Sequence, residues 1–300
     1  MITLEAPAKI NWFLKVLHRR EDGFHEIRSL IQKISLCDRL SFSSAPAIEL
    51  QSDTDIPLHN NLVYRAARLL QDKCNVSSGA SITLEKKIPM GAGLGGGSSD
   101  AATTLLGLNR LWSLGLYDRE LAVFAEELGS DVPFFLYGAL ALVEGRGEKI
   151  STRQAAVSAD LLLVKPPFEI STQWAYTGYA EKHQQYKRLS PTAPVSSADA
   201  ELTKKVEKVD NIGHFISTFE RVNVDRMGSN VFNDLESIAI ENFPVIADVK
   251  KGLIDEGAQC SLMSGSGSTV FGVFNSTAEA ENAEKRFNGF WTAVVKTITE

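Results

Sequence analysis

From residue 4 to residue 17 the chain alternates, with Ala6, Ala8, Ile10, Trp12 and Leu14 on one face of an extended strand and Lys9, Asn11 and Phe13 on the other. Asp22-Gly23 then gives a hairpin turn, leaving Phe24 and His25 side by side at the start of the returning strand, and residues 27–50 read as further strands. On pattern alone Phe24 reads as core and His25 as a solvated strand residue. The period changes at Asn60 or Asn61, either of which can cap a helix with the stripe Val63, Ala66, Ala67 and Leu70. Ile82 and Leu84 alternate again in a strand over 81–87, and Ala101, Ala102, Leu105, Leu108 and Trp112 return to helical spacing. A second helix, carrying Leu121, Phe124, Ala125 and Leu128, begins near the capping residue Asp118 and stops at Gly129.

Leu140 to Val143 and Leu161 to Val164 are strand-like, with the turn Glu144-Gly145-Arg146-Gly147-Glu148 between them and a break at Pro166-Pro167. This places a domain boundary near residues 150–160, giving domains 1–155 and 156–300. Residues 180–210 are polar and read as a long surface excursion with partial helix. Beyond them come a helix from Asn233, another from about Val245 to Gly257, the run Ser264-Gly265-Ser266-Gly267-Ser268-Thr269, and the strand Val270 to Phe274. Ser276 and Glu279 form a capping box for one more helix, and Trp291 to Ile298 is a closing strand. Strands and helices in this order give a mixed α/β (α+β) chain in two domains.

The 300 residues, 44% hydrophobic, suffice for ordinary cores. Cys37, Cys74 and Cys260 are far apart and form no CxxC pair, so neither a disulfide framework nor a zinc site is indicated, and a cytoplasmic location is expected. No apolar run is long enough to span a bilayer. A net charge of −6 argues against a general nucleic-acid surface and leaves a small molecule as the expected partner.

The stretch that concentrates chemistry is Pro89-Met90-Gly91-Ala92-Gly93-Leu94-Gly95-Gly96-Gly97-Ser98-Ser99, between a strand and a helix. Glycines at this density lose much backbone entropy on ordering, and they suit a loop whose N–H groups close on a ligand. With a helix start and two serine hydroxyls behind them, they make an anion cradle. No Gly-Lys-Ser/Thr closes the loop, so a Walker A motif is excluded, and the chain lacks the HRD and DFG motifs of protein kinases. Gly91-x-Gly93-x-x-Gly96 matches the dinucleotide fingerprint by letter, but a second helix follows where that motif needs a second parallel strand. In Gly129-Ser130-Asp131-Val132-Pro133, the proline disfavours helix at Val132, so Asp131 lies in a bend, as a cap for the next turn or as a catalytic carboxylate. The run 264–269 is either an ordinary tight turn or a second loop packed on the first.

Taken together, Pro89-x-x-x-Gly93-Leu94-Gly95-Gly96-Gly97-Ser98-Ser99, Ala6-Pro7-Ala8-Lys9-Ile10-Asn11 and Gly265-Ser266-Gly267-Ser268 resemble the three motifs of the GHMP kinases. Asp22-Gly23-Phe24-His25, Asn61-Leu62-Val63-Tyr64-Arg65-Ala66-Ala67 and Gly129-Ser130-Asp131-Val132-Pro133-Phe134 resemble the branch acting on a cytidine diphosphate ester of methylerythritol, in the non-mevalonate route to isoprenoid precursors. The resemblance implies two α/β domains, the first with a left-handed βαβ crossover, and a site in the cleft between them. It implies ATP, held by residues 89–99 with Asn61, and Mg2+, faced by Ser98 or Ser99. Asp131 matches the family's general base for a tertiary hydroxyl, and Lys9 its basic partner. Asn11 would orient the erythritol hydroxyls, and Thr172 lies in the substrate site. Cytosine would stack between Phe24 and Tyr176 while His25 bonds its polar edge, reversing the reading of Phe24 and His25 from pattern alone. Phe24 departs from a more usual Tyr, and Ser130 from a more usual Ala. The alternatives are another GHMP kinase, acting on homoserine or mevalonate, and an NAD-dependent oxidoreductase.

Overall fold

The computed structural model describes residues 1–154, 158–189 and 231–299. The expected domain boundary at 155/156 lies outside them, as do residues 190–210 of the expected excursion; the described part of that excursion, to residue 189, is helix.

The first sheet is built on the long antiparallel hairpin of β1 (Ile2–Arg19) and β2 (His25–Ala45). The inner half of β2 pairs with β5 (Leu140–Gly145), which pairs with β6 (Lys149–Arg153). Its outer half pairs with β4 (Gly79–Glu85), and β4 runs parallel to β3 (Ile48–Ser52). The helices α1 (Leu62–Lys73), α2 (Gly96–Leu111) and α3 (Asp118–Leu128) share a core with one face of this sheet, around Leu40, Phe42, Ile82, Ala66, Leu105 and Leu121. The second sheet has the order β11 (Trp291–Lys296), β7 (Asp160–Lys165), β10 (Val270–Phe274), β9 (Cys260–Met263), all antiparallel. It packs with α4 (Thr172–Leu189), α5 (Glu236–Asn242), α6 (Val245–Asp255) and α7 (Thr277–Glu284), the core including Val164, Ala175, Ala239, Leu253 and Ala280. A short β8 (Phe232–Asn233) runs parallel to β1.

The two sheets share a third core, in which Ile10, Trp12, Leu30 and Ile34 meet Leu161, Leu163 and Phe271. Trp12 and Phe271 meet edge to face at 5.8 Å. Residues 8 to 14 of β1 are therefore buried whichever face they occupy, where alternation alone suggests a half-exposed strand. The alternation is also interrupted. Asn11 opposes Ile31 and Phe13 opposes Leu30, so Trp12 is an extra residue in the ladder. Phe13 consequently joins Ile10 and Trp12 in the shared core, and Leu14 turns to the side of Lys9 and Asn11, the reverse of the faces expected from the pattern.

Asn61 caps α1 by accepting the Val63 N–H at 2.9 Å, with Val63, Ala66, Ala67 and Leu70 facing the core as their spacing predicts. Three boundaries differ from expectation. The cap of α3 is Tyr117, whose N–H is taken by the Glu120 carboxylate at 2.8 Å, and Asp118 is the first helical residue. Val132, in the turn that caps a 3-10 helix from Pro133 to Leu136, takes helical angles despite Pro133 (φ −63°, ψ −45°); at the first position of that helix the missing proline N–H has no intrahelical partner to lose. Asn233 lies in β8 and starts no helix; α5 begins at Glu236. Among the described residues no helix is long and apolar enough to cross a membrane.

Candidate active site

The glycine loop leaves β4 and enters α2 at Gly95, which is left-handed with φ 70°. Its far side rests on the second glycine-serine run: Ser264 Oγ donates to the Gly93 carbonyl at 3.0 Å and the Thr269 N–H to the Ala92 carbonyl at 3.2 Å. A Cβ on Gly93 would stand 2.1 Å from the Ser264 carbonyl oxygen. On its other flank the Lys9 N–H bonds the Leu94 carbonyl at 2.9 Å. The run 264–269 is thus a second loop packed on the first, and Asn233 fixes it by donating to the carbonyls of Met263 and Gly265 at 2.8 and 2.7 Å. Between these parts lies a cavity of about 420 Å³, lined by Pro89 to Ser98 and Asn61 on one side and by Lys9, Asn11, Asp131 and Ser266 on the other. Ser99 is not at its wall; it is fully buried, with no partner for its Oγ.

Lys9 and Asn11 are 4% and 2% exposed, and they belong to one chain of bonds. Lys9 Nζ donates to Asn11 Oδ1 at 2.6 Å, Asn11 Nδ2 to Ser29 Oγ at 2.8 Å, and Ser29 Oγ to the Phe13 carbonyl at 2.6 Å. Burial lowers the Lys9 pKa, and the Asp131 carboxylate works against that shift. Asp131 stands in the bend after α3, at the cavity wall, and the 3-10 turn behind it is held by Lys33, which donates to the carbonyls of Phe135 and Tyr137 at 3.1 and 2.6 Å. Lys33 carried no recognisable motif in the sequence. Its aliphatic stem and ammonium are packed so closely that burial brings its pKa down to about 8, with Asp118 opposing.

A second cavity, of about 790 Å³, opens on the other side of Asp131 and is lined by Phe24, His25, Arg146 and Tyr176 among others. Phe24, His25 and Tyr176 come together here, but not in the expected order. His25 itself stacks on Tyr176, with centroids 5.4 Å apart and planes at 22°, so that face of Tyr176 is taken. Phe24 is 49% exposed and is covered by the Arg146 guanidinium at 5.2 Å. A sandwich of Phe24 and Tyr176 with His25 at the edge is therefore replaced by two composite walls, one of His25 on Tyr176 and one of Arg146 on Phe24. His25 Nε2 is buried without a partner, and burial, with Arg19 adding, lowers its pKa, favouring the neutral ring. Burial, then Asp131 and Asp234, raise the Tyr176 phenol and keep it protonated. Thr172, the first residue of α4, meets Ser266 across the cleft at 3.1 Å. Asp131, Thr172 and Tyr176 line both cavities.

The sequence matches the model of the GHMP kinases N terminal domain over residues 61–139 and that of the GHMP kinases C terminal over 215–293. The chain belongs to the GHMP kinase family. Two curated relatives named 4-diphosphocytidyl-2-C-methyl-D-erythritol kinase, from Thermodesulfovibrio yellowstonii and Pelobacter propionicus, are 44% and 40% identical, over 100% and 99% of this chain and 99% of each relative. A crystal structure of 4-(cytidine 5'-diphospho)-2C-methyl-D-erythritol kinase superposes with a TM-score of 0.78 at 31% identity, covering 99% of both chains. The chain is thus an ATP-dependent GHMP kinase, and the oxidoreductase alternative falls: α3 follows α2 directly, and among the described residues β4 has its only parallel partner in β3, before the loop.

Beneath the kinase loop lies a charged cluster that no motif disclosed. Asp38, fully buried, accepts the N–H groups of Lys87 and Ile88 at 2.5 and 2.8 Å and pairs with Lys86. Lys86 also reaches Asp100, in the first turns of α2, at 2.7 Å. Burial, and Asp38 nearby, push the Asp100 carboxyl up to about 7 against the pull of Lys86. One ammonium thus ties β2, the strand end and the helix of the loop together. Lys86→Met should destabilise the protein by about 3–5 kcal/mol, because two buried carboxylates then face each other without a cation. Adding Asp100→Asn should recover part of that loss; equal denaturant midpoints for wild type and the single variant would contradict the assignment.

Proposed function

We propose that this kinase transfers the γ-phosphoryl group of ATP to the 2-hydroxyl of 4-diphosphocytidyl-2-C-methyl-D-erythritol, giving the 2-phosphate and ADP, as a step toward isoprenoid precursors. The observation that carries the proposal is the position of Asp131, where a cavity floored by a glycine loop meets one walled by aromatic rings. ATP phosphates fit the first: a glycine loop at a helix start suits anions, with Asn61 and Met90 also lining the cavity. A flat base fits the second, stacked against the pair that His25 and Tyr176 form.

The acceptor hydroxyl then lies at Asp131. As its oxygen bonds the γ-phosphorus and the bond from phosphorus to the ADP oxygen breaks, its proton passes to the Asp131 carboxylate. The buried Lys9 ammonium, held by Asn11, stabilises the negative charge developing on that oxygen. Asn11 and Thr172 would orient the erythritol end from two sides of the cleft. Magnesium would be held at the loop largely by phosphate oxygens. Ser98, at the wall, is the hydroxyl that would face the ion, whereas Ser99, buried away from the cavity, does not reach it. When bound, it neutralises charge between the β- and γ-phosphates.

ATP consumption by the purified chain, measured with the cytidylyl ester, homoserine and mevalonate in turn, tests the proposal. Turnover is expected with the ester alone; turnover with homoserine or mevalonate and none with the ester would overturn it.

A further inference from the structure

The turn Glu144-Gly145-Arg146-Gly147-Glu148 has no part in the reaction above, yet it is built more firmly than a link between two strands requires. Arg28 Nε donates to Glu144 at 2.7 Å, and Glu148 Oε2 accepts the Arg146 N–H at 2.7 Å. Gly147 has φ 131°, and a Cβ there would stand 2.9 Å from the Ser130 carbonyl oxygen. The turn therefore rests on the residue just before Asp131, an approach open only to glycine. Held this way, it sets Arg146 at the wall of the larger cavity, its guanidinium 5.2 Å from the centre of the Phe24 ring. The face of the guanidinium is occupied by that ring, but its N–H donors are not: among the described residues the side chain makes no hydrogen bond or ion pair. Arg20 close by is, in contrast, taken up by Asp22 and Glu26.

A stacked guanidinium with all its donors unused, partly removed from water, suits a phosphate, which it can meet with two parallel bonds. We propose that Arg146 receives the diphosphate of the substrate and so sets the preference for a cytidine diphosphate ester over an unphosphorylated nucleoside. This rests on the substrate reading above. A ligand with its base on the His25–Tyr176 wall and its hydroxyl end at Asp131 carries its diphosphate between the two, along the wall that Phe24 and Arg146 form. The Arg146 charge also offsets the repulsion between that diphosphate and the Asp131 carboxylate.

The test is calorimetric titration of the full chain with cytidine and with CDP. Wild type should bind CDP about 10- to 100-fold more tightly than cytidine, the range expected when charge-assisted bonds to phosphate are added. In Arg146→Ala the two ligands should bind nearly alike, with cytidine affinity and the KM for ATP retained, and Arg146→Lys should keep part of the CDP advantage. The inference is overturned if Arg146→Ala keeps the full CDP advantage, or if cytidine and CDP weaken equally, which would place Arg146 under the base. Those outcomes leave the substrate reading standing so long as wild type turns over the cytidylyl ester. Absence of turnover together with absence of cytidine and CDP binding would remove both.

Discussion

Asp131→Asn should lower kcat by about 10²–10⁴, the usual contribution of a positioned general base, with ATP affinity nearly unchanged. The amide has the shape of the carboxylate, so the bend after α3 and the 3-10 turn clamped by Lys33 are expected to persist. What is lost is the acceptor for the hydroxyl proton. Lys9 is affected as well: the Asp131 carboxylate is the charge that works against its desolvation, so in the variant the Lys9 pKa should fall further. Two signatures follow from one substitution, a loss in kcat and a Lys9 that deprotonates at lower pH. Single-turnover measurements across pH would show both, and a variant with near-normal kcat would remove Asp131 as the base.

Gly93→Ala should abolish most ATP binding, for a reason distinct from backbone strain. Gly93 has φ 73°, which costs a non-glycine residue about 1–2 kcal/mol. The larger effect is steric, because the added Cβ would lie 2.1 Å from the Ser264 carbonyl oxygen and 2.9 Å from Gly267 N. The two loops must part, breaking the bonds from Ser264 to Gly93 and from Thr269 to Ala92 and opening the cradle. Gly115 provides the control, with φ 70° and open space around its Cβ direction. Gly115→Ala should therefore lower stability by the strain alone and bind ATP as wild type does. If Gly93→Ala also retained wild-type ATP affinity, the packed pair of loops would have no part in holding the nucleotide.

Features that depend on a few consecutive residues were legible in the sequence. The Asn61 cap, the stripes of α1 and α2, the Ser276 cap of α7, whose oxygen accepts the Glu279 N–H at 3.3 Å, and the glycine loop between strand and helix all follow from local spacing. The packing of the second glycine-serine loop on the first was open from spacing alone, since a tight turn has the same letters. Where local rules failed, a neighbouring group had intervened: Glu120 made Tyr117 the cap of α3, and a bulge at Trp12 exchanged the faces of Phe13 and Leu14.

The sequence by itself determined the strands and helices from β1 to α3, that a glycine cradle opens α2, and that Lys9 and Asn11 share one face of β1. Those properties rest on backbone periodicity and capping, which act over a few residues. Only the tertiary structure decided what each polar group meets: Lys86 between Asp38 and Asp100, His25 on Tyr176, Arg146 on Phe24, and Asp131 at the meeting of two cavities. Those partners are far apart along the chain, and what joins them is the packing of two sheets through one shared core, which no local period encodes.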